Sequence, residues 1–332
     1  MNVVSKPVEF FFLCCIAACA IFARPEGLQA APFHSAVNLG ATINTSAIDD
    51  QPVISDDGLR MFFSSNRPGG FGGRDVWLAQ RPTVNNPFAA PVNLGVIIND
   101  GSDNDPGTES SNGLRFYLNK GNNFFLASRA STAVPWSSPT VTLSTSPFAN
   151  LGGQMFHPAV SNDELTLVYQ LNNAGSVNTS ALMLSTRANV STPFDAPVAL
   201  TALNVFDFRN VHPSFSGDDL SIYFASNRPA SIGDADIYRA VRSSTAVAWT
   251  SPSVILEHDL GINTAARETG PFAFGNTLYF SSDRLGTFGA VDLYAAVPEP
   301  GSAALLAMGG FALGLLVIRR KRRVAPCRKN RA

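Results

Sequence analysis

A chain of 332 residues with 24 Lys and Arg against 25 Asp and Glu carries a formal net charge of -1. That balance hides an acidic middle, because residues 31–297 hold 14 basic and 22 acidic side chains, a difference of 22 − 14 = 8. Nucleic acid is thereby excluded as a natural partner, since its binding rests on Lys and Arg neutralising phosphates.

The four cysteines, Cys14, Cys15, Cys19 and Cys327, all lie outside that middle, so it must be held by core burial and strand pairing and needs no disulfide. Residues 1–30 open with one positive charge at Lys6, run apolar from Phe10 to Phe22 and turn polar before Ala30 and Ala31. This is the layout of a secretory signal peptide cleaved near Ala30. Two alternatives stay open: a retained anchor, although the run is shorter than the ~20 residues a span needs, and a lipidated Cys19 behind Ile16-Ala17-Ala18.

From Phe33 to Asn44 the chain reads Phe33, then Val37-Asn38-Leu39-Gly40, then Ile43-Asn44, and Phe88 to Asn99 has the same layout. Looser versions start at Trp136, Phe194 and Trp249. A second motif alternates with this one. Pro52 to Trp77 contains Ser55-Asp56-Asp57-Gly58, an aromatic run to Ser64-Ser65-Asn66-Arg67, a glycine-rich loop and Asp75-Val76-Trp77. It returns at Pro213 to Tyr238 and Pro271 to Tyr294, and more weakly from Pro106 and Pro158. The prolines at 52, 106, 158, 213 and 271 step by 54, 52, 55 and 58 residues, the signature of a solenoid, propeller or array.

Each unit is read as four short strands: one from the proline to about the serine, a tight Asp/Asn/Gly turn, an aromatic-rich strand, a strand opening on the Asp, and the Phe/Trp to Leu-Gly segment. Four antiparallel strands make a propeller blade. The two motifs are out of phase, leaving a spare segment at Phe33 and a last unit one strand short. The predicted fold is therefore an all-β, five-bladed β-propeller over residues 31–296, its fifth blade completed by residues of about 33 to 40 so that no edge is left open.

Residues 297–323 read Val297-Pro298-Glu299-Pro300-Gly301-Ser302, an apolar run over 303–318, and Arg319-Arg320-Lys321-Arg322-Arg323, with 324–332 as a basic tail. The basic end belongs in the cytoplasm and the propeller across the membrane. The order Pro298-Glu299-Pro300, short apolar helix, Arg319 and Arg320 resembles the PEP-CTERM sorting signal of Gram-negative bacteria. The resemblance implies Sec export, a transient inner-membrane stage with the propeller in the periplasm, processing by an exosortase-type enzyme, and a place at the cell surface or in an extracellular matrix with exopolysaccharide. The repeats resemble the WD40-like propeller repeat of the periplasmic TolB family, closely at residues 50–81, 211–242 and 269–294. The second and third units depart from it, with Asn119-Lys120 and Gln170-Leu171-Asn172 where the pattern has Asn-Arg.

Of the residues that could carry chemistry, Arg67 with Asp75, Arg228 with Asp236 and Arg284 with Asp292 each lie eight positions apart and are read as structural pairs closing a hairpin loop. His157 and His212 precede unit prolines, at the place held elsewhere by Gln51, Asp105 and Gly270, and two histidines are too few for a metal site. Asp100, Asp103, Asp105 and Glu109 have the oxygen chemistry of a calcium loop but not an EF-hand's spacing, and are read as a solvated loop; no cofactor is expected. The function read from all this is a binding or structural module for polysaccharide or an envelope protein, with contacts at Pro68–Arg74 and Pro229–Ala235. The alternative is a glycoside hydrolase whose carboxylates Asp50, Asp105 and Glu268 meet in the central channel.

Overall fold

A computed structural model gives the fold and describes residues 33–141, 153–173, 179–254 and 261–298. The signal peptide, Cys19, Glu299, Pro300, Arg319, Arg320 and the 303–318 span fall outside those residues. Among the described residues no helix is long and apolar enough to cross a membrane.

The first strand, β1 (Phe33–Asn38), is followed by β2 (Asp49–Ile54), β3 (Arg60–Ser65), β4 (Asp75–Gln80) and β5 (Val92–Asn93), which form the first sheet to be completed. The second sheet is β6 (Asn104–Glu109), β7 (Arg115–Lys120), β8 (Asn123–Ser128) and β9 (Thr140–Val141). The third is β10 (Gly153–Val160), β11 (Thr166–Asn173), β12 (Ser180–Thr186) and β13 (Val198–Ala199). The fourth is β14 (Asn210–Phe215), β15 (Ser221–Ser226), β16 (Asp236–Val241) and β17 (Ser253–Val254). The last is β18 (Glu268–Phe274), β19 (Thr277–Ser282) and β20 (Asp292–Pro298), closed by β1 in antiparallel register with β20. Neighbouring innermost strands touch in the cycle β2, β6, β10, β14, β18 and back to β2, so the five antiparallel sheets form a propeller.

Burial explains the aromatic runs. The second strand of a blade has neighbouring blades on both faces, and Met61, Phe62 and Phe63 are all fully buried. Five apolar clusters fill the gaps, each drawn from two adjacent blades; Phe62, Phe116 and Trp136, for example, join the first to the second. The turn after the innermost strand of the first four blades is set by one serine. Ser55 Oγ donates to Asp57 Oδ1 (2.6 Å) and accepts from Arg60 N (2.9 Å), and Ser110, Ser161 and Ser216 repeat the arrangement.

Three details differ from the sequence reading. The innermost strand begins before the proline, and in most blades the proline sits on a bulge, as between Asp50 and Val53. Pro106 is one residue out of step: it aligns with Gln51, while Gly107 takes the place of Pro52. The fourth strand is only two residues long in the first four blades.

An asparagine side chain continues the fourth strand's pairing where its backbone stops. Asn99 Oδ1 accepts from Val76 N and its Nδ2 donates to Val76 O (2.8 and 3.0 Å), so the amide mimics a strand residue. Asn204 does this for Leu182, Asn263 for Ile237 and Asn44 for Leu293. This gives the Ile-Asn ending of the repeated segment its physical reason.

Candidate functional site

The repeated arginines and aspartates do not pair with each other as the spacing suggested. Asp75 Oδ2 accepts from the backbone of Phe71 in the glycine-rich loop (2.7 Å) and from Asn93 Nδ2 (2.8 Å). Asp236 holds Ile232 N in the same way (2.6 Å), and Asp292 holds Phe288 N (2.7 Å). The aspartates spend an oxygen on the loop backbone, and among the described residues none of them forms an ion pair with its arginine. Arg67 instead lies over Phe63 and Trp77 (4.9 and 5.2 Å to the ring centres) and reaches Asp49 Oδ1 and the Ile43 carbonyl. Arg228 reaches Asn210 Oδ1 and Leu203 O, and Arg284 reaches Glu268 Oε1 and Ile262 O. Each arginine thus ties an aromatic strand to the preceding segment and to the innermost strand of its own blade.

Glu268 is therefore occupied. It accepts from Thr264 N (2.9 Å), Thr264 Oγ1 (2.7 Å), Ser282 Oγ (2.8 Å) and Arg284. Asp49, which the sequence reading passed over, has the same partners in its own blade, Thr45, Ser65 and Arg67. The signal was present as a threonine four positions before an acid, Thr45 to Asp49 and Thr264 to Glu268. Asp50 and Asp105, one residue further along their strands, stand next to each other around Arg74, whose Nη2 is 3.1 Å from Asp105 Oδ2. Two of the three suggested carboxylates, Asp50 and Asp105, thus share the charge of Arg74, while Glu268 is held by the threonine, serine and arginine of its own blade. In the acidic loop, Asp100 pairs with Lys120, Asp103 with Arg74, and Glu109 lies at the far end of β6 with Arg60 and Arg129.

Next along the innermost strands comes a ring with one residue per blade: Gln51, Pro106, His157, His212 and Gly270. The two imidazole centres are 4.0 Å apart. Beyond this ring the channel widens into a cavity of about 180 Å³, walled by Pro52, Pro158, Pro213 and Pro271 and opening between the serine turns. Asp50, Asp105 and Glu268 are not among its lining residues.

Burial pushes the Asp105 carboxyl up to about 6, against Arg74 and with help from the Asp50 charge. Burial would also raise Asp50, but His212, Arg74 and Ser281 outweigh it and hold that carboxyl below its usual range. The same burial, with Arg74 assisting, lowers His212 to about 4 and His157 well below its ordinary value, so both imidazoles are neutral at pH 7. An unfolded chain takes up a proton on each near pH 6.5, whereas folded His212 does so only near pH 4. Its contribution to stability is complete above pH 6.5 and lost as pH falls towards 4. His212→Gln introduces the residue that the first blade already uses there. It is expected to gain on the order of 3 kcal/mol relative to the unmodified protein between pH 7 and pH 4. Urea unfolding at both pH values measures this, and parallel pH profiles for the two proteins would contradict it.

On the opposite face of the ring lie the loops that Asp75, Asp236 and Asp292 hold. Phe71, Ile232 and Phe288 occupy the same position in these loops, on three consecutive blades, with 49%, 58% and 51% of their surface exposed. Leu285 and Phe206 are exposed on the same face.

No family model matches the chain, and no curated protein matches it. Among solved structures it is similar to a glycoside hydrolase at 13% identity and TM-score 0.53, over 82% of this chain and 92% of that one. It is also similar to the α-L-arabinofuranosidase PaAbf62A from Podospora anserina in complex with cellotriose, at 11% identity and TM-score 0.50, over 81% and 98%. A putative TolB from Agrobacterium tumefaciens matches at 14% identity and TM-score 0.45, over 81% and 92%. At these identities the likeness is one of fold alone, and a fold by itself does not fix a function.

Proposed function

We propose that this chain is an exported binding propeller that docks an envelope protein on the face carrying Phe71, Ile232 and Phe288. The supporting observation is the repetition itself. In three adjacent blades an aspartate fixes the loop backbone so that an apolar side chain stands out into solvent, where it gains nothing for the fold. Aliphatic tips beside aromatic ones suit a protein surface better than a polysaccharide, which favours aromatic platforms.

In this reading residues 1–30 direct Sec export. Residues 297–323 hold the chain in the inner membrane until an exosortase-type enzyme acts near Pro298-Glu299-Pro300, and the propeller ends at the cell surface. Mass spectrometry of the mature C-terminus tests the sorting step.

The docking face is tested by placing a photo-crosslinking residue at position 71, 232 or 288 in living cells, with position 134 on the opposite face as control. The expected result is one discrete protein adduct from the first three positions, and its loss in a Phe71→Ser, Ile232→Ser, Phe288→Ser variant whose stability changes by no more than about 1.5 kcal/mol, about 0.5 for each exposed position. Equal adducts from position 134, or adducts to polysaccharide alone, would refute the reading.

One observation favours a second reading, a glycoside hydrolase: Asp105 titrates near 6 while Asp50 is held low, the division an acid and base pair needs. Against it stand Glu268, fully engaged by its threonine, serine and arginine, and a cavity that neither aspartate lines. Turnover of a panel of aryl glycosides that disappears in Asp105→Asn would favour the hydrolase.

A further inference from the structure

We infer that the serine-turn face of the propeller lies against the lipid bilayer, with its exposed valines Val84, Val134, Val190 and Val247 in a zwitterionic headgroup layer and the loop face turned away. This rests on the anchored stage proposed above for residues 297–323, and adds to it the side of the propeller that meets the membrane.

The path of the chain fixes the side. β20 starts at Asp292, which holds the Phe288 loop, and its far end pairs with the start of β19, just after the turn at Gly275 and Asn276. Phe33 pairs with Pro298 there, so both ends of the described chain leave the propeller at the serine-turn face. From Pro298 to Ala303, where the apolar run begins, the chain reaches at most about 18 Å. A span over 303–318 rises about 24 Å as a helix against a hydrocarbon core of about 30 Å, which draws its flanks further in.

The surface at that end suits lipid. Where the fifth blade has the two chain ends, the first four have a loop, over residues 81–88, 129–136, 187–194 and 242–249. Each loop contains one arginine and neither an acid nor a lysine. The arginine is occupied by the aromatic ring seven positions on and by a turn carbonyl of its own blade. What remains for solvent is small and neutral. A four-residue turn in each loop, such as that in which Val134 N donates to Ser131 O, contains a valine with 41–48% of its surface exposed. Val297, near the end of β20, is 51% exposed and gives the fifth blade its own. A ring of small apolar tips, one from each blade, fits a plane surface that touches every blade alike.

Charge chooses the headgroup. The serine turns border the channel mouth and carry Asp56, Asp57, Asp163, Asp218 and Asp219, whereas no residue of the valine loops lines the cavity. An acidic mouth inside an apolar rim repels anionic lipid and leaves zwitterionic headgroups as the surface that fits. The contact is secondary to the tether. Five half-exposed isopropyl groups hold less apolar surface than one myristoyl chain, whose membrane binding alone is marginal and reversible. The face therefore rests on lipid while the span holds it there, and lets go once the chain is cut near Pro298-Glu299-Pro300.

The test uses the full-length chain in nanodiscs of phosphatidylcholine and phosphatidylethanolamine. A fluorescent amino acid is placed at position 84, 134, 190 or 247, or at 71, 232 or 288 on the loop face, and quenching by a headgroup spin-labelled lipid is read. Quenching at least about threefold stronger at the first four positions is expected, since a six-residue strand sets the two faces about 20 Å apart. Changing the four loop valines together to serine is expected to lower quenching at position 111, on a serine turn, by about half as the propeller swings on its tether. Adding phosphatidylglycerol should leave the quenching equal or lower. A photo-crosslinker at position 134 then meets lipid and not the protein partner of the loop face.

Extraction at alkaline pH separates this inference from the anchoring on which it rests. Release of the chain would overturn both. Retention with equal quenching on the two faces, or stronger quenching on the loop face, would overturn the orientation and leave the anchor standing. Unchanged quenching at position 111 in the valine variant, or quenching that needs phosphatidylglycerol, would overturn the contact with neutral lipid.

Discussion

Asn44→Ala is expected to lower the free energy of unfolding by roughly 2–4 kcal/mol: Leu293 N is left buried without a partner at about 1–3 kcal/mol, and Leu293 O, which keeps its bond from Leu39 N, loses its second donor at about 1 kcal/mol. The side chain of Asn44 accepts from Leu293 N (2.8 Å), donates to Leu293 O (3.0 Å) and donates to Asn38 Oδ1 (2.8 Å). Asn38 in turn donates to Asp292 Oδ2 (2.7 Å), so a run of amides spans the seam where the chain's two ends meet. Asn99→Ala removes the same two bonds from Val76, but inside a blade whose strands follow one another in sequence. The seam variant should therefore lose the larger amount and should also speed exchange of the β20 amides. Denaturant unfolding with hydrogen exchange at Leu293 decides this, and an Asn44→Ala protein within about 0.5 kcal/mol of the parent would mean that strand pairing alone closes the ring.

Closure could be read from the sequence because it follows from counting: five Phe/Trp segments and five proline units out of phase leave a spare strand at the start and a last blade one strand short, and β1 with β20 joins them. Turn chemistry was equally plain, since Asp57-Gly58 and Asn112-Gly113 can do little else between two apolar runs. Other features were hidden because spacing gives a distance along the chain and no direction for a side chain. Arg67 and Asp75 flank one loop, yet the arginine turns towards Asp49 and the aspartate into the loop. Pro106 was misaligned because proline can occupy either residue of the bulge, and only the strand register separates the two positions.

A second arginine series was legible and overlooked. Arg81, Arg129, Arg187 and Arg242 each stand seven positions before Phe88, Trp136, Phe194 and Trp249. Each lies over that ring at 3.9–4.4 Å and donates from Nε to a turn carbonyl, that of Gly58, Gly113, Glu164 or Asp219. These contacts bind the outer strand of a blade to its inner turn, which helps to hold the serine-turn mouth of the channel in shape. The candidate site itself was only partly legible. His157 and His212 were visible as ring positions, but their approach to 4.0 Å and the cavity beyond depend on how five bulges meet in space.

Arg67→Ala and Arg228→Ala should differ in cost although the two arginines occupy the same place in their blades. Both lie over two aromatic rings and donate to a backbone carbonyl, so the loss of cation–π contact and of that bond is common to the pair. The difference is the acceptor on the innermost strand, a fully buried carboxylate at Asp49 against a neutral amide at Asn210. Removing Arg67 leaves a buried negative charge, which in general costs about 3–5 kcal/mol. Thr45 and Ser65 still donate to that charge and bring the expectation to the lower end. Removing Arg228 leaves a neutral acceptor that still takes the Ser226 hydroxyl (3.2 Å), so this part of the loss is only about 0.5–1.5 kcal/mol. The neutralised double variant Asp49→Asn with Arg67→Ala should therefore recover part of the loss, while Asn210→Ala added to Arg228→Ala should recover little. If urea unfolding gives equal losses for the two arginines and no recovery on neutralising Asp49, the arginines act through stacking on their aromatic strands, and the buried charge is already balanced by its threonine and serine.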